Sequence, residues 1–141
     1  MPNNLLNRLR SVYIQFNQKT LSQLPEIYAE DIQFRDPFHA INGLPGLTIY
    51  FESMMRDLIE CRFEFHHSVE LPSEAVLFWT MHYRHKKIAG GKLLERSGSS
   101  HLKFNEKIVF HRDYFDAGAM LYEHLPLVGG IIGFIKRRMS K

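Results

Sequence analysis

One cysteine in 141 residues is the first scarcity in this sequence. Cys61 alone cannot close a disulfide within the chain, and an unpaired thiol suits a reducing cytoplasm, the expected location. Long hydrophobic runs are missing as well. No apolar stretch approaches the roughly 20 residues that cross a bilayer, so no membrane span is expected. Charge of one sign is missing too: 18 Lys and Arg stand against 15 Asp and Glu, a net +3 spread along the chain. Such a balance leaves no electrostatic footprint for nucleic acid. Arg84, His85, Lys86, Lys87 and Lys92 do gather at one hairpin, but no aromatic ladder accompanies them, and nucleic acid is not an expected partner. Eight histidines occur without an HExxH pattern. Adjacent His66 and His67 are expected on opposite faces of a strand, and Cys61 is isolated, so neither a metal nor a cofactor is expected. The opening MPNNLLNRLRSVYIQF carries arginines within a helical pattern and does not read as a signal peptide. Repeats, low-complexity stretches and linkers are absent.

What the chain has is aromatic and apolar side chains, 13% and 45% of residues. That is enough for one core, with aromatics left over to line a pocket. Leu5, Leu6, Leu9, Val12, Tyr13 and Phe16 form one stripe at helical spacing. TLSQLPEIYAED predicts a second, shorter helix, capped by Thr20 or Ser22, with Pro25 tolerable only near its first turn. Ile32 to Asp36 reads as a short strand stopped by Pro37. INGLPG is turn chemistry, and a third helix is predicted over about 47–58. The period then changes to two. CRFEFHHSVEL, AVLFWTMHYRH, LLERSGSSHLKF and KIVFHRDYF predict four long strands in a meander. Helix, helix, short strand, helix and four strands make an α+β fold: a curved antiparallel sheet wrapped by three N-terminal helices. A concave space between helices and sheet suits a small molecule.

Three places on this frame carry chemistry. Pro37 biases Asp36 to extended geometry, which sets its carboxylate at the strand end, near the mouth of the concavity. It is either a base aimed into apolar space or the acceptor of an Asx turn. On the last strand, the period of two puts His111 and Asp113 on one face with Val109 and Phe115. Ile108, Phe110, Arg112 and Tyr114 are expected opposite. Two polar residues among apolar ones need partners, and a ligand is one candidate. On the preceding strand, one of the two parities puts Arg96, Gly98, Ser100 and Leu102 toward that face, and Gly98 and Ser100 are small enough to leave volume for the ligand.

The segments VYIQF and IYAEDIQFRDPFHAINGLPG resemble the opening of the ketosteroid isomerases, within the nuclear transport factor 2-like (SnoaL-like) superfamily. The resemblance runs from about residue 5 to residue 116 and implies a cone-shaped domain over 1–116. It places Tyr13 where an oxyanion-binding tyrosine lies, Tyr28 where a supporting tyrosine lies, and Asp36 where the general base lies. Where the isomerases hold a protonated aspartate as second donor, this chain has Ser100, and the loss of one such donor typically costs about 10²–10³ in rate. His111 or Asp113 is the available substitute. The epoxide hydrolases of the superfamily use an arginine and two aspartates. Arg96 and Asp113 resemble part of that set, but Gly98 stands where the middle acid belongs.

The tail EHLPLVGGIIGFIKRRMSK predicts a C-terminal helical extension over 117–141, apolar and then basic. It is expected to cap the open end or pack across a homodimer, with contact to a membrane surface as a third option. The expectation is a pocket for a small hydrophobic or carbonyl-containing ligand. In the catalytic version Asp36 and Tyr13 act, with Tyr28, Ser100, His111, Asp113 and Phe115 lining the pocket. In the alternative the same fold binds without turnover or serves as a dimeric interaction module.

Overall fold

A computed structural model describes residues 3–116 and 134–140. Two helices open it: α1 (Asn3–Ile14) and α2 (Gln18–Ile27). Strands β1 (Tyr28–Arg35) and β2 (Ala40–Asn42) follow, then α3 (Leu44–Met55). Four long strands complete the sheet: β3 (Leu58–Glu70), β4 (Glu74–His85), β5 (Leu94–Phe104) and β6 (Ile108–Tyr114). The α+β reading holds, in a curved, unclosed sheet of order β2-β1-β6-β5-β4-β3. The sheet is mixed, where the sequence pattern predicts an antiparallel one. The meander brings β6 back alongside β1 in parallel, with Phe34 opposite His111 and Arg35 opposite Arg112. Parallel neighbours end at the same side of a sheet. The residues that follow these pairs, Asp36 and Asp113, therefore emerge together.

Asn17 caps α2, not Thr20 or Ser22. Its side chain accepts from the Lys19 amide at 2.9 Å, while Thr20 Oγ1 accepts from the Asn17 amide at 3.0 Å. The reciprocal box satisfies amides that the first turn leaves open. Asn17→Ala is expected to cost about 1 kcal/mol in urea unfolding. Pro25 lies near the end of α2, not at its start, where it forfeits one bond to the preceding turn. Lys107 Nζ reaches across to donate to the Pro25 and Glu26 carbonyls at 3.1 and 2.8 Å. The third helix begins three residues earlier than its apolar stripe suggests, because Gly43 (φ +93°) turns the chain and Pro45 is acceptable in a first turn.

The core forms where the apolar faces of α1, α2 and α3 meet the inner face of the sheet. Leu6, Leu9, Leu24, Ile27, Ile32, Leu47, Leu77 and Leu102 are fully buried there. Each such side chain contributes about 1.5–3 kcal/mol.

Two irregularities correct the strand faces predicted from alternation. Phe65 pairs with Trp79 and Ser68 with Leu77, so His66 and His67 together stand against Phe78 alone. This bulge turns both histidines outward: His66 bonds Thr80 Oγ1 at 2.9 Å, and the His67 ring stacks on Phe78. No group of metal-ligating residues forms among the described residues. A second shift lies between the Lys103–Phe110 and Phe104–Ile108 pairs. It swings Ile108 into the core, fully buried, rather than onto the outer face.

Of the expected C-terminal extension, 117–133 lies outside the described residues. Residues 134–139 are helical, with Phe134, Ile135 and Met139 exposed. Among the described residues no helix is long and apolar enough to cross a membrane.

Candidate functional site

Between α1, α3 and the concave face of the sheet lies a cavity of about 430 Å³. Its wall is largely aromatic. Tyr13 comes from α1, Phe16 from the turn that follows it, Phe34 from β1, Tyr50 and Phe51 from α3, Phe63 from β3, Trp79 from β4 and Phe115 from beyond β6. Asp36 and Asp113 bring carboxylates to the same wall, joined by Ser53, His39 and His85, and among the described residues no lysine or arginine lines it. The volume and the sparse polar groups are those of a small-molecule site.

The two acids are held very differently. Asp36 closes a turn: Oδ1 accepts from the amides of Phe38 and His39, both at 2.8 Å, and Oδ2 accepts from the Tyr50 hydroxyl. This is the Asx turn weighed in the sequence, with a tyrosine added. Three of its roughly four lone-pair positions are filled. Burial, and then the bond to Asp36, push the Tyr50 phenol above its ordinary range, so it keeps its proton and donates.

Asp113 is the open acid. Its Oδ1 accepts from Ser100 Oγ at 2.5 Å and pairs with His111 Nε2 at 2.7 Å. Its Oδ2 has no hydrogen-bond partner among the described residues, and the side chain is 16% exposed on the cavity wall. Ser100 is itself held by Trp79, whose indole N–H donates to Oγ at 2.8 Å. On the other side of His111, Nδ1 lies 2.8 Å from the Tyr28 hydroxyl, which lies 2.7 Å from the Tyr13 hydroxyl. One unbroken string therefore runs from Trp79 through Ser100, Asp113, His111 and Tyr28 to Tyr13. Burial, joined by the charge of Asp113, drives the Tyr13 phenol well above its ordinary range; burial and then Tyr13 do the same to Tyr28. Both phenols stay protonated.

The structure gathers all seven residues singled out in the sequence, but in two layers. Tyr13, Asp36, Asp113 and Phe115 line the cavity. Tyr28, Ser100 and His111, expected in the lining, stand behind it as a buried second row. Ser100 on β5, His111 on β6 and Tyr28 at the start of β1 are all buried, with Trp79 over Ser100 and Tyr13 over the other two. The space expected beside Gly98 is likewise taken by the Trp79 indole. Two members of the site escaped the pattern. Tyr50 sits next to Phe51 on a helix whose apolar stripe gives no hint of a polar partner. Trp79 reads as plain core, because an indole N–H leaves no periodic signal.

Cys61 also faces the cavity, and burial pushes its thiol up to about 12. The thiolate is the reactive form. An aromatic disulfide reagent at pH 8 is expected to modify the native chain roughly 10³-fold more slowly than the urea-unfolded chain, given an unperturbed thiol near 8.5. Equal rates would show an open thiol.

Residues 9–111 match the model of the SnoaL-like domain. No curated protein matches this chain by sequence. Among solved structures, it is similar to a nuclear transport factor 2-like protein of unknown function from Burkholderia pseudomallei (17% identity, 84% of this chain and 95% of that one, TM-score 0.72). It is similar to TerC co-crystallised with polyporic acid (16%, 85% and 95%, TM-score 0.71). A third likeness is to a protein of ketosteroid isomerase-like fold from Catenulispora acidiphila, in complex with trimethylamine (12%, 89% and 92%, TM-score 0.70). At these identities the likeness is one of fold.

Proposed function

This chain belongs to the SnoaL-like domain family, and we propose that it is a small-molecule pocket protein performing cofactor-independent acid–base chemistry next to a carbonyl group. The observation that carries the reading is Asp113, which lines the aromatic cavity with Oδ1 fixed by Ser100 and His111 and with Oδ2 unpaired among the described residues. A general base needs a free lone pair aimed at the proton it removes. Asp113 has one. Asp36, to which the sequence resemblance assigns the base, has spent most of its own on the turn and on Tyr50. We therefore assign proton removal to Asp113. Tyr13 is the hydroxyl for the enolate oxygen, and Asp36 with Tyr50 shapes the mouth. The bound ligands of two structural neighbours support small-molecule binding in this fold.

Deuterium incorporation from D₂O next to the carbonyl of cyclic 3-oxo compounds tests this. Wild-type protein is expected to accelerate exchange for compounds that fit about 430 Å³. No acceleration in a set that demonstrably binds would overturn the catalytic reading and leave the non-catalytic one, which the aromatic wall favours by itself. Homodimer formation through the outer sheet face, where Phe78 and Tyr114 stand exposed, belongs to the same proposal and is read by sedimentation.

A further inference from the structure

The string behind the cavity has ends of opposite character, and counting its protons shows what it does. With Asp113 ionised, Oδ1 offers only lone pairs, so His111 Nε2 carries a proton and donates to it at 2.7 Å. In a neutral imidazole Nδ1 is then an acceptor. Tyr28 must give its one proton to Nδ1, and Tyr13 must give its own to Tyr28. Tyr13 is left with nothing but lone pairs for the cavity. Add one proton at Nδ1 and the two bonds between His111 and Tyr13 reverse, while the Nε2–H still donates to Asp113. The imidazolium donates to Tyr28, Tyr28 donates to Tyr13, and the Tyr13 O–H is released toward a ligand. The heavy atoms need not move.

We propose that His111, fixed by Asp113, is the proton reservoir behind Tyr13, and that Tyr28 relays its proton to a ligand oxygen in the cavity. The assignment rests on the acid–base reading above and adds to it. His111 and Tyr28 act through Tyr13 and are positioning residues; Tyr13 alone touches the ligand. The logic is that of a hydroxyl–imidazole–carboxylate set with one phenol inserted between hydroxyl and imidazole.

The step balances. Asp113 Oδ2 takes the proton from the carbon beside the carbonyl, and the C–H electron pair becomes the enol double bond. The carbonyl oxygen receives a proton from Tyr13, Tyr13 takes one from Tyr28, and Tyr28 takes one from His111 Nδ1. The dyad begins as imidazolium and carboxylate and ends as neutral imidazole and carboxylic acid, with no net gain of protons. Returning the carboxyl proton to a different carbon, while the enol proton travels back to His111, completes an isomerisation. The groups that bear on His111 are Tyr28 from β1, Tyr13 from α1 and Asp113 on its own strand; Ser100 reaches it only through Asp113. Phe34 packs on its ring, and its cross-strand partner on β5 is Leu102. Beyond them, Cys61 bears on Tyr13, and Tyr50 with Asp36 neighbours Asp113 at the mouth.

Ligand-free protein labelled with ¹⁵N in histidine and ¹³Cζ in tyrosine tests the relay. Neutral His111 is expected to carry its proton on Nε2. The Tyr13 ¹³Cζ resonance is expected to step with the same pH midpoint as the His111 ring. Tyr28→Phe should abolish the Tyr13 step and leave the His111 titration in place; His111→Gln should leave Tyr13 flat. Three results would overturn the relay: a wild-type Tyr13 that ignores the His111 titration, a step that survives Tyr28→Phe, or a neutral His111 protonated on Nδ1. A His111 ring of constant charge across the folded pH range overturns it as well. The wild-type spectra decide even where a variant does not fold. Because no substrate is used, a flat Tyr13 leaves Asp113 as the base, and a failed exchange assay leaves the relay standing.

Discussion

Asp113→Asn is expected to lower the rate of carbon-bound proton exchange by about 10³-fold, within the 10²–10⁴ that general acid–base catalysis supplies. The replacement is nearly isosteric and suits the fold. The amide oxygen can take the place of Oδ1 and accept from Ser100 and His111, whose donors stay satisfied. What changes is the second carboxylate position, unpaired among the described residues, where an –NH₂ replaces an acceptor. Ligand affinity should therefore fall far less than turnover, so that kcat carries most of the loss. Asp36→Asn is the contrast. Its amide oxygen can still accept from the Phe38 and His39 amides, while the –NH₂ meets the Tyr50 hydroxyl as an acceptor and turns it around. That substitution is expected to change kcat by no more than about tenfold. A loss on Asp36→Asn larger than the loss on Asp113→Asn would return the base to the strand-end acid and sink the assignment made from the free oxygen.

The fold was legible because its signals are periodic. Leu6, Leu9 and Val12 at helical spacing place α1 and its buried face, and AVLFWTMHYRH, apolar on both faces, marks a strand without saying which face is buried. Pairing between strands distant in sequence has no such signal. The parallel β1–β6 contact, which brings Asp36 and Asp113 to one end of the sheet, depends on the return path of the whole meander. Bulges are invisible for a related reason. One extra residue at His66–His67 or at Val109 flips the faces beyond it, and nothing in the local composition announces the insertion. The seven candidate residues were singled out one by one, from strand parity and family resemblance. Their order was not. Whether Tyr28, Ser100 and His111 line a cavity or stand behind its wall is decided by which larger side chain lies over them, and that is a tertiary fact.

Gly98 shows how closely that second row is fitted. A Cβ built there would lie 2.4 and 2.8 Å from Cη2 and Cζ2 of Trp79, and 2.7 Å from the backbone oxygen of Tyr114. The indole rests on the glycine directly across the ladder, since Trp79 and Gly98 are a cross-strand pair. Gly98→Ala must displace the indole, the β6 backbone or both. The expected cost is about 1–3 kcal/mol, in the range of an overpacked core, measured as a fall in urea midpoint at unchanged slope. The consequence reaches the site, because the same indole holds Ser100 and Ser100 holds Asp113 Oδ1. Exchange activity should therefore drop in Gly98→Ala even where the chain is fully folded. Adding Trp79→Phe separates the two overlaps. The smaller ring relieves the contacts at 2.4 and 2.8 Å but not the carbonyl at 2.7 Å, so stability should return only in part. Activity should not return, since phenylalanine has no N–H for Ser100. An alanine at 98 with wild-type stability would mean that the indole does not lie over the glycine, and the support assigned to Ser100 would fall with it.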